Sequence, residues 1–287
     1  MRALALLFLL LVPSLAVADE SVTFHWTPPQ GGAVVTEAES MTMSFGLDLF
    51  VGEAAFGSMK ASNVNRESVV ATLGPPWSAA KKKGSLAYGN TGTIETQTKP
   101  DGTSETSEEL PVVAGKTYTI TQKKTGTPKV VNDSGEDLSE EELATVLEDW
   151  TELAATEPGG LEGALVDKTF SVGDDMSAEA QVLANLFGED DELSVTNPKV
   201  TFSEIRTVKG ERCAVLALSM LMIGRETELT MSMAVAGEAV ISIDTLRPHS
   251  IRIEGPMSLA AAMIEEGMTV RMAGGGTFVM DMSFTYE

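Results

Sequence analysis

Alternation between apolar and polar side chains recurs along the chain with period two. Met41, Met43, Phe45, Leu47 and Leu49 alternate with Thr42, Ser44, Gly46 and Asp48. Leu229, Met231, Met233 and Val235 alternate with Thr230, Ser232 and Ala234. Phe278, Met280, Met282, Phe284 and Tyr286 alternate with Val279, Asp281, Ser283 and Thr285. Successive side chains of a strand point to opposite faces, so each stripe predicts a strand with one apolar face. Shorter strands are expected over 22–26, 116–123, 199–205, 240–244 and 251–254. The connections are short and turn-rich, as at Ala236-Gly237-Glu238, which suits antiparallel meanders better than βαβ crossovers. Gly274-Gly275-Gly276 is expected as a turn or bulge between strands around Val270 and Phe278.

The period changes to that of a helix in two places. Ser139 stands three residues before Glu142, a capping box, and Leu143, Val146, Leu147, Trp150 and Leu153 then share a face. A second helix is expected over 177–187, with Val182, Leu183, Leu186 and Phe187 apolar and Gly188 ending it. Residues 84–110 are rich in Gly, Thr, Ser, Glu and Pro and predict a polar flexible loop or linker. The expected organisation is an N-terminal β segment over 19–83, that linker, and a β-rich region over 111–287 with helices near 139–153 and 177–187. The last region is expected to form one domain with 19–83. The fold class is therefore mainly β (α+β): an antiparallel half-barrel or sandwich with one or two amphipathic helices packed on it.

The N-terminus reads as an address. Arg2, an apolar run over 3–12, then Pro13, Ser14 and Ala16-Val17-Ala18 follow the plan of a secretory signal peptide over 1–18, with cleavage predicted after Ala18. The protein is thus expected to be exported, periplasmic or extracellular. No later stretch holds enough consecutive apolar residues for a spanning helix, so no integral membrane segment is expected after cleavage. Asp and Glu number 42 against 20 Lys and Arg, a net charge of −22. That field repels nucleic acid and anionic membrane surfaces. Cys213 is the only cysteine, so no internal disulfide forms, and its apolar neighbours predict a buried, inert thiol.

Several motifs invite a chemical reading. Ser78-Ala79-Ala80-Lys81, Tyr88-Gly89-Asn90 and Lys124-Thr125-Gly126 match, in order, the signature of penicillin-binding proteins and serine β-lactamases. That chemistry needs the serine at a buried helix start and a helical subdomain before the second motif. Here Pro75, Pro76 and three consecutive lysines describe a solvated loop, so the enzyme reading is set aside. Gly115-Lys116-Thr117 ends like a phosphate-binding loop, but Leu110 occupies the place of the first glycine and 116–120 alternates as a strand. His25 and His249 are the only imidazoles; neither has a partner at ligand spacing, and His249 after Pro248 is expected in a solvated turn. The acid clusters over 133–142 and 189–192 lack the alternating ligands and central glycine of a calcium loop. No catalytic, cofactor-binding or metal-ligating residue is assigned, no cofactor is expected, and the ligand-binding residues are unknown.

Gly115-Lys116-Thr117-Tyr118, the turn and helix over 132–150, Val172-Gly173-Asp174 and Ile251-Arg252-Ile253-Glu254-Gly255-Pro256 resemble segments of uncharacterised secreted bacterial proteins. The strand-rich layout with helices at mid-chain is also similar, as architecture, to the LolA and LolB lipoprotein carriers. In those, a curved antiparallel sheet holds helices against an apolar cavity; the likeness transfers no residue. Methionine suits both irregular cores and adaptable apolar binding surfaces. The expectation is a non-enzymatic secreted or periplasmic protein that binds an apolar small molecule or lipid, or an envelope protein, and no nucleic acid. The alternative is a structural or assembly protein of the cell envelope. An outer-membrane β-barrel is disfavoured by 6% aromatics and a polar, helical middle. A hydrolase would have to use His25 or His249.

Overall fold

The computed structural model describes residues 20–78, 81–124, 127–177, 179, 193–225, 229–265 and 268–287. Its strands are β1 (Ser21–Thr23), β2 (Val34–Val51), β3 (Ala54–Ser78), β4 (Lys81–Tyr88), β5 (Thr93–Thr98), β6 (Ser104–Glu109), β7 (Thr117–Lys123), β8 (Lys129–Asn132), β9 (Thr169–Ser171), β10 (Leu193–Val208), β11 (Glu211–Arg225), β12 (Leu229–Ser242), β13 (Pro248–Glu265) and β14 (Met268–Tyr286). The helices are α1 (Glu140–Leu153) and α2 (Gly160–Leu165). The chain is mainly β, as the alternation predicts. One antiparallel sheet runs in the order β10-β11-β12-β13-β14-β2-β3-β4-β7-β8 and is not closed into a barrel. Strand β3 serves two partners on one side: Lys60 to Asn65 pair with β5, and Val69 to Gly74 with β4. Strands β1 and β9 form a separate two-stranded sheet.

Two apolar cores lie along this sheet. In the first, Phe24 beside β1, Leu165 of α2, Phe170 of β9 and Met176 pack with Phe202, Leu216 and Ile241 of the meander. Backbone bonds from Phe24 N to Lys168 O (3.0 Å) and from Met176 N to Val200 O (2.8 Å) hold this cover in place. In the second, Val146 and Trp150 of α1 pack with Leu73, Leu86 and Ile120. The capping box forms as read: Glu142 N donates to Ser139 Oγ at 3.1 Å, and Ser139 N to Glu142 Oε2 at 3.3 Å. Glu142 is also buried, accepting from Tyr118 Oη and, at 3.1 Å, from Lys116 Nζ. The Tyr118 hydrogen bond, with those from Lys116 and the Ser139 backbone, holds its carboxyl below the usual range. One side chain thus closes the first turn of α1 and pins it to β7. At the other end Lys82 Nζ donates to Ala154 O at 2.8 Å, a cation where the helix dipole favours one.

Three expectations need correction. Residues 84–110 are not a flexible loop: they hold the end of β4 and the hairpin of β5 and β6. Hydroxyl pairs across it, Thr96 with Thr106 (3.2 Å) and Thr98 with Ser104 (2.9 Å), supply what an apolar face would otherwise give. Ala236-Gly237-Glu238 is no turn but the middle of β12, opposite Glu254, Ile253 and Arg252. Gly274-Gly275-Gly276 likewise lies inside β14, opposite Leu259, Ser258 and Met257. The short α2 was not anticipated, because Gly159, Gly160 and Gly163 hide its start. The helix expected over 177–187 lies almost wholly outside the described residues, as does the signal peptide.

The mid-strand glycines have a steric cause. A Cβ at Gly237 would stand 1.8 Å from Arg252 O, at Gly255 2.1 Å from Ala234 O, at Gly276 1.9 Å from Ser44 O, and at Gly274 1.9 Å from Gly46 O. The register makes these positions a diagonal, advancing two residues per strand across β12, β13 and β14. Neighbouring backbones approach there as they do where sheets are strongly coiled. Gly275 is different, with its nearest contact at 3.2 Å. Gly276→Ala is therefore expected to lower unfolding free energy by about 2 kcal/mol, and Gly275→Ala by well under half that. Urea unfolding followed by circular dichroism measures both; equal losses would contradict the steric reading.

Candidate functional site

The three methionine stripes converge on one face of the sheet. Met222 of β11 lies opposite Met233 of β12, which lies opposite Met257 of β13. Beyond Gly276 this row continues to Phe45 and Ala61. A second row joins Ile253, Met280 and Met41. Met222, Met233, Met257 and Met280 are buried, whereas Met41, Met43, Phe45, Met231, Leu259 and Met282 are only partly so. The result is an apolar strip across five strands, most of whose members are methionines, unbranched and polarisable.

The strip ends abruptly toward α1. On β2 the same face continues from Met41 to Glu39 and Glu37 before returning to the buried Val35. Glu37 stands between Phe284 of β14 and Val69 of β3, both buried. Burial, then the like charges of Glu152, Asp149, Glu39 and Glu67, raise its carboxyl from 4.5 to about 7. Burial, then the charges of Glu67 and Glu152, also raise Glu39. Asp149 of α1 is raised by burial even though Tyr88 Oη donates to it at 2.6 Å. Glu162 of α2 is raised by burial too. Among the described residues the charged groups that shift Glu37 are all acids. This seam between the two cores takes up protons as pH falls from neutrality and disfavours an anion.

The motifs weighed in the sequence are not assembled into a site. Ser78 and Lys81 face each other across the β3–β4 turn, with Ser78 Oγ accepting from Lys81 N at 3.3 Å. Ser78 is therefore at a hairpin and not at a helix start. Tyr88 is engaged by Asp149, and Thr125 and Gly126 lie outside the described residues. Lys116 precedes β7 and pairs with Glu142. His249 is a correction: it is buried, 3.3 Å from Glu211 Oε2 and edge-on to Tyr286, because Pro248 opens β13 instead of a turn. His25 is exposed, 3.9 Å from Asp167. Cys213 is buried with Val215 and Val240, and burial raises its thiol. Among the described residues no group of three acids, histidines or cysteines is placed to hold a metal ion. A cleft of about 560 Å³ opens between Phe50, Thr230, Ala260, Ala262 and Arg271, which alternate to the face opposite the methionines, with Ala261 and Met272 of the methionine face also at its wall.

The sequence signal for the strip was the methionine alternation itself. The seam leaves no such signal, because Glu37 and Glu39 sit at the apolar parity of β2 and break the alternation there. Its energetic sign follows from the raised carboxyl. Glu37 stabilises the fold relative to its ionised form below about 4.5, and that contribution disappears as pH rises through about 7. The urea midpoint is expected to be higher at pH 5 than at pH 8. Glu37→Gln should gain about 1 kcal/mol at pH 8 after allowance for partial exposure and shrink the difference. A wild-type midpoint that is equal or lower at pH 5 would contradict the assignment. No protein-family model and no curated protein matches the chain.

Proposed function

We propose that this is an exported, non-enzymatic protein that holds an apolar ligand of the lipid class against the methionine face of its sheet. The observation that carries the proposal is the strip itself: six partly exposed large apolar side chains adjoin buried methionines on one face. Isolated exposed hydrophobes are ordinary, whereas a contiguous apolar surface with polar borders is a mark of a binding site. The glycine diagonal supports a half-barrel curvature, in which the strip would line the inside. The acids at its end favour a ligand whose polar group is neutral or cationic, since an anionic head would meet Glu37 and Glu39.

Met43→Glu and Met231→Glu place a charge on the strip, while Ser258→Glu places one on the opposite face. Titration with a fluorescent aliphatic probe should show saturable binding to the wild type and to Ser258→Glu. The two strip variants should bind about tenfold more weakly or worse. Equal affinity in all four proteins, or no saturable binding to the wild type, would defeat the proposal. Lipid extraction and mass spectrometry of the natively purified protein identifies the natural ligand.

A further inference from the structure

Among the described residues the sheet has three outer strands, and they are treated differently. Strand β10 is blunted: Asn197 has a positive φ of 51°, Pro198 follows, and the register shifts between Thr196 and Lys199 and again between Phe202 and Glu204. Its middle is also strapped by residues 173–176, with Gly173 N donating to Phe202 O (2.7 Å) and Phe202 N to Asp174 O (3.1 Å). Strand β8 spans only Lys129–Asn132. Strand β6 has none of these protections. Its pairing with β5 is continuous from Thr93↔Glu109 to Thr98↔Ser104, without bulge or proline, and all of its residues are exposed. It pairs with no strand but β5, so one row of its main-chain donors and acceptors has no strand partner among the described residues.

We propose that β6 is the docking edge for an extended, basic segment of a partner protein, which joins the sheet as a further strand. Main-chain pairing supplies affinity in this mode of recognition and alternate side chains supply choice. Glu105 and Glu109 of β6 share a face with Glu95 of β5, and of these only Glu105 has an ion pair, with Lys99, among the described residues. Opposite charges across strands stabilise pairing and like charges oppose it. The edge therefore rejects a second copy of itself and selects lysine or arginine at alternate positions.

Exposed apolar side chains lie at both ends of the same hairpin. Of the exposed large hydrophobic residues, Phe56, Ile94, Leu110 and Val131, three adjoin this hairpin. Ile94 lies on β5 on the face away from Glu95, and Leu110 directly follows β6. Phe56 neighbours Gly57, where a Cβ would stand 2.9 Å from Pro100 in the β5–β6 turn. An incoming strand with basic residues toward Glu105 and Glu109 would meet Ser104, Thr106 and Glu108 on its other side, with Leu110 at the end of the edge; Ile94 lies one strand further in, opposite Glu108. This surface is separate from the methionine strip, and its test does not depend on that ligand.

The probe is a short labelled peptide alternating lysine and valine, with an alternating glutamate and valine peptide and a fully N-methylated lysine and valine peptide as controls. Fluorescence anisotropy should show saturable binding of the first peptide to the full protein and little of the others. Combined Glu105→Lys and Glu109→Lys, with folding checked by circular dichroism, should weaken the lysine peptide about tenfold and admit the glutamate peptide. No saturable binding of the lysine peptide would overturn the proposal. So would retained binding of the N-methylated peptide, which indicates adsorption by charge alone, or an affinity unmoved by the charge reversal.

Discussion

The pairing of β2 with β14 is the contact on which the rest of this structure depends. It runs without a register shift from Val270↔Val51 to Tyr286↔Val35, and it joins the last strand of the chain to the first long one. Without it, the β10–β14 meander and the β3–β4–β7–β8 group would be two sheets, each with an apolar face of its own. With it, the two faces become one surface, and the two cores become neighbours along it. Such a contact closes over nearly the whole sequence. Its loop-closure cost must be met by hydrogen bonds and burial formed together, which makes the sheet a cooperative unit.

That continuity explains the chemistry of the seam. The β2 face is asked to be apolar opposite Met280 and Phe278, and apolar again at Val35 beneath α1. Between these lie Glu39 and Glu37, flanked by Phe284 and Val69, in a place that disfavours charge. The contrast with Glu142 is instructive. Both are acids packed against the same sheet, but Glu142 accepts from Tyr118 and Lys116 and is held ionised, whereas Glu37 meets only other acids and is pushed toward the neutral form. Burial raises both carboxyls, and only at Glu142 do hydrogen-bonding partners outweigh it.

The fold was legible where a strand has one wet and one dry face. The stripes at Met41 to Leu49, Leu229 to Val235 and Phe278 to Tyr286 all became strands, and the register shows that their apolar residues share one face. Strand β3 was not legible. Its residues on that face include Asn63, Asn65 and Glu67, so the alternation that marks a strand is missing. Strands β5 and β6 failed for the same reason, being held by hydroxyl pairs and main-chain bonds. The glycines of β12 and β14 read as turns because a sequence does not reveal where a neighbouring carbonyl will stand. Of the candidate site, the methionines were visible and the acids beside them were not, since a carboxylate at apolar parity acquires meaning only from what faces it.

The proposed ligand would be received by one face of the sheet, an apolar surface rich in methionine. Methyl-labelled methionine NMR observes that surface directly, with each resonance assigned by single Met→Leu substitution. On titration with a long-chain alcohol, the methyl signals of Met41, Met43, Met231 and Met282 are predicted to shift together and saturate, with that of Met176, fully buried in the first core, moving least. Methyl signals on the strip that stay fixed at saturating alcohol, or shifts confined to Met176, would contradict this reading.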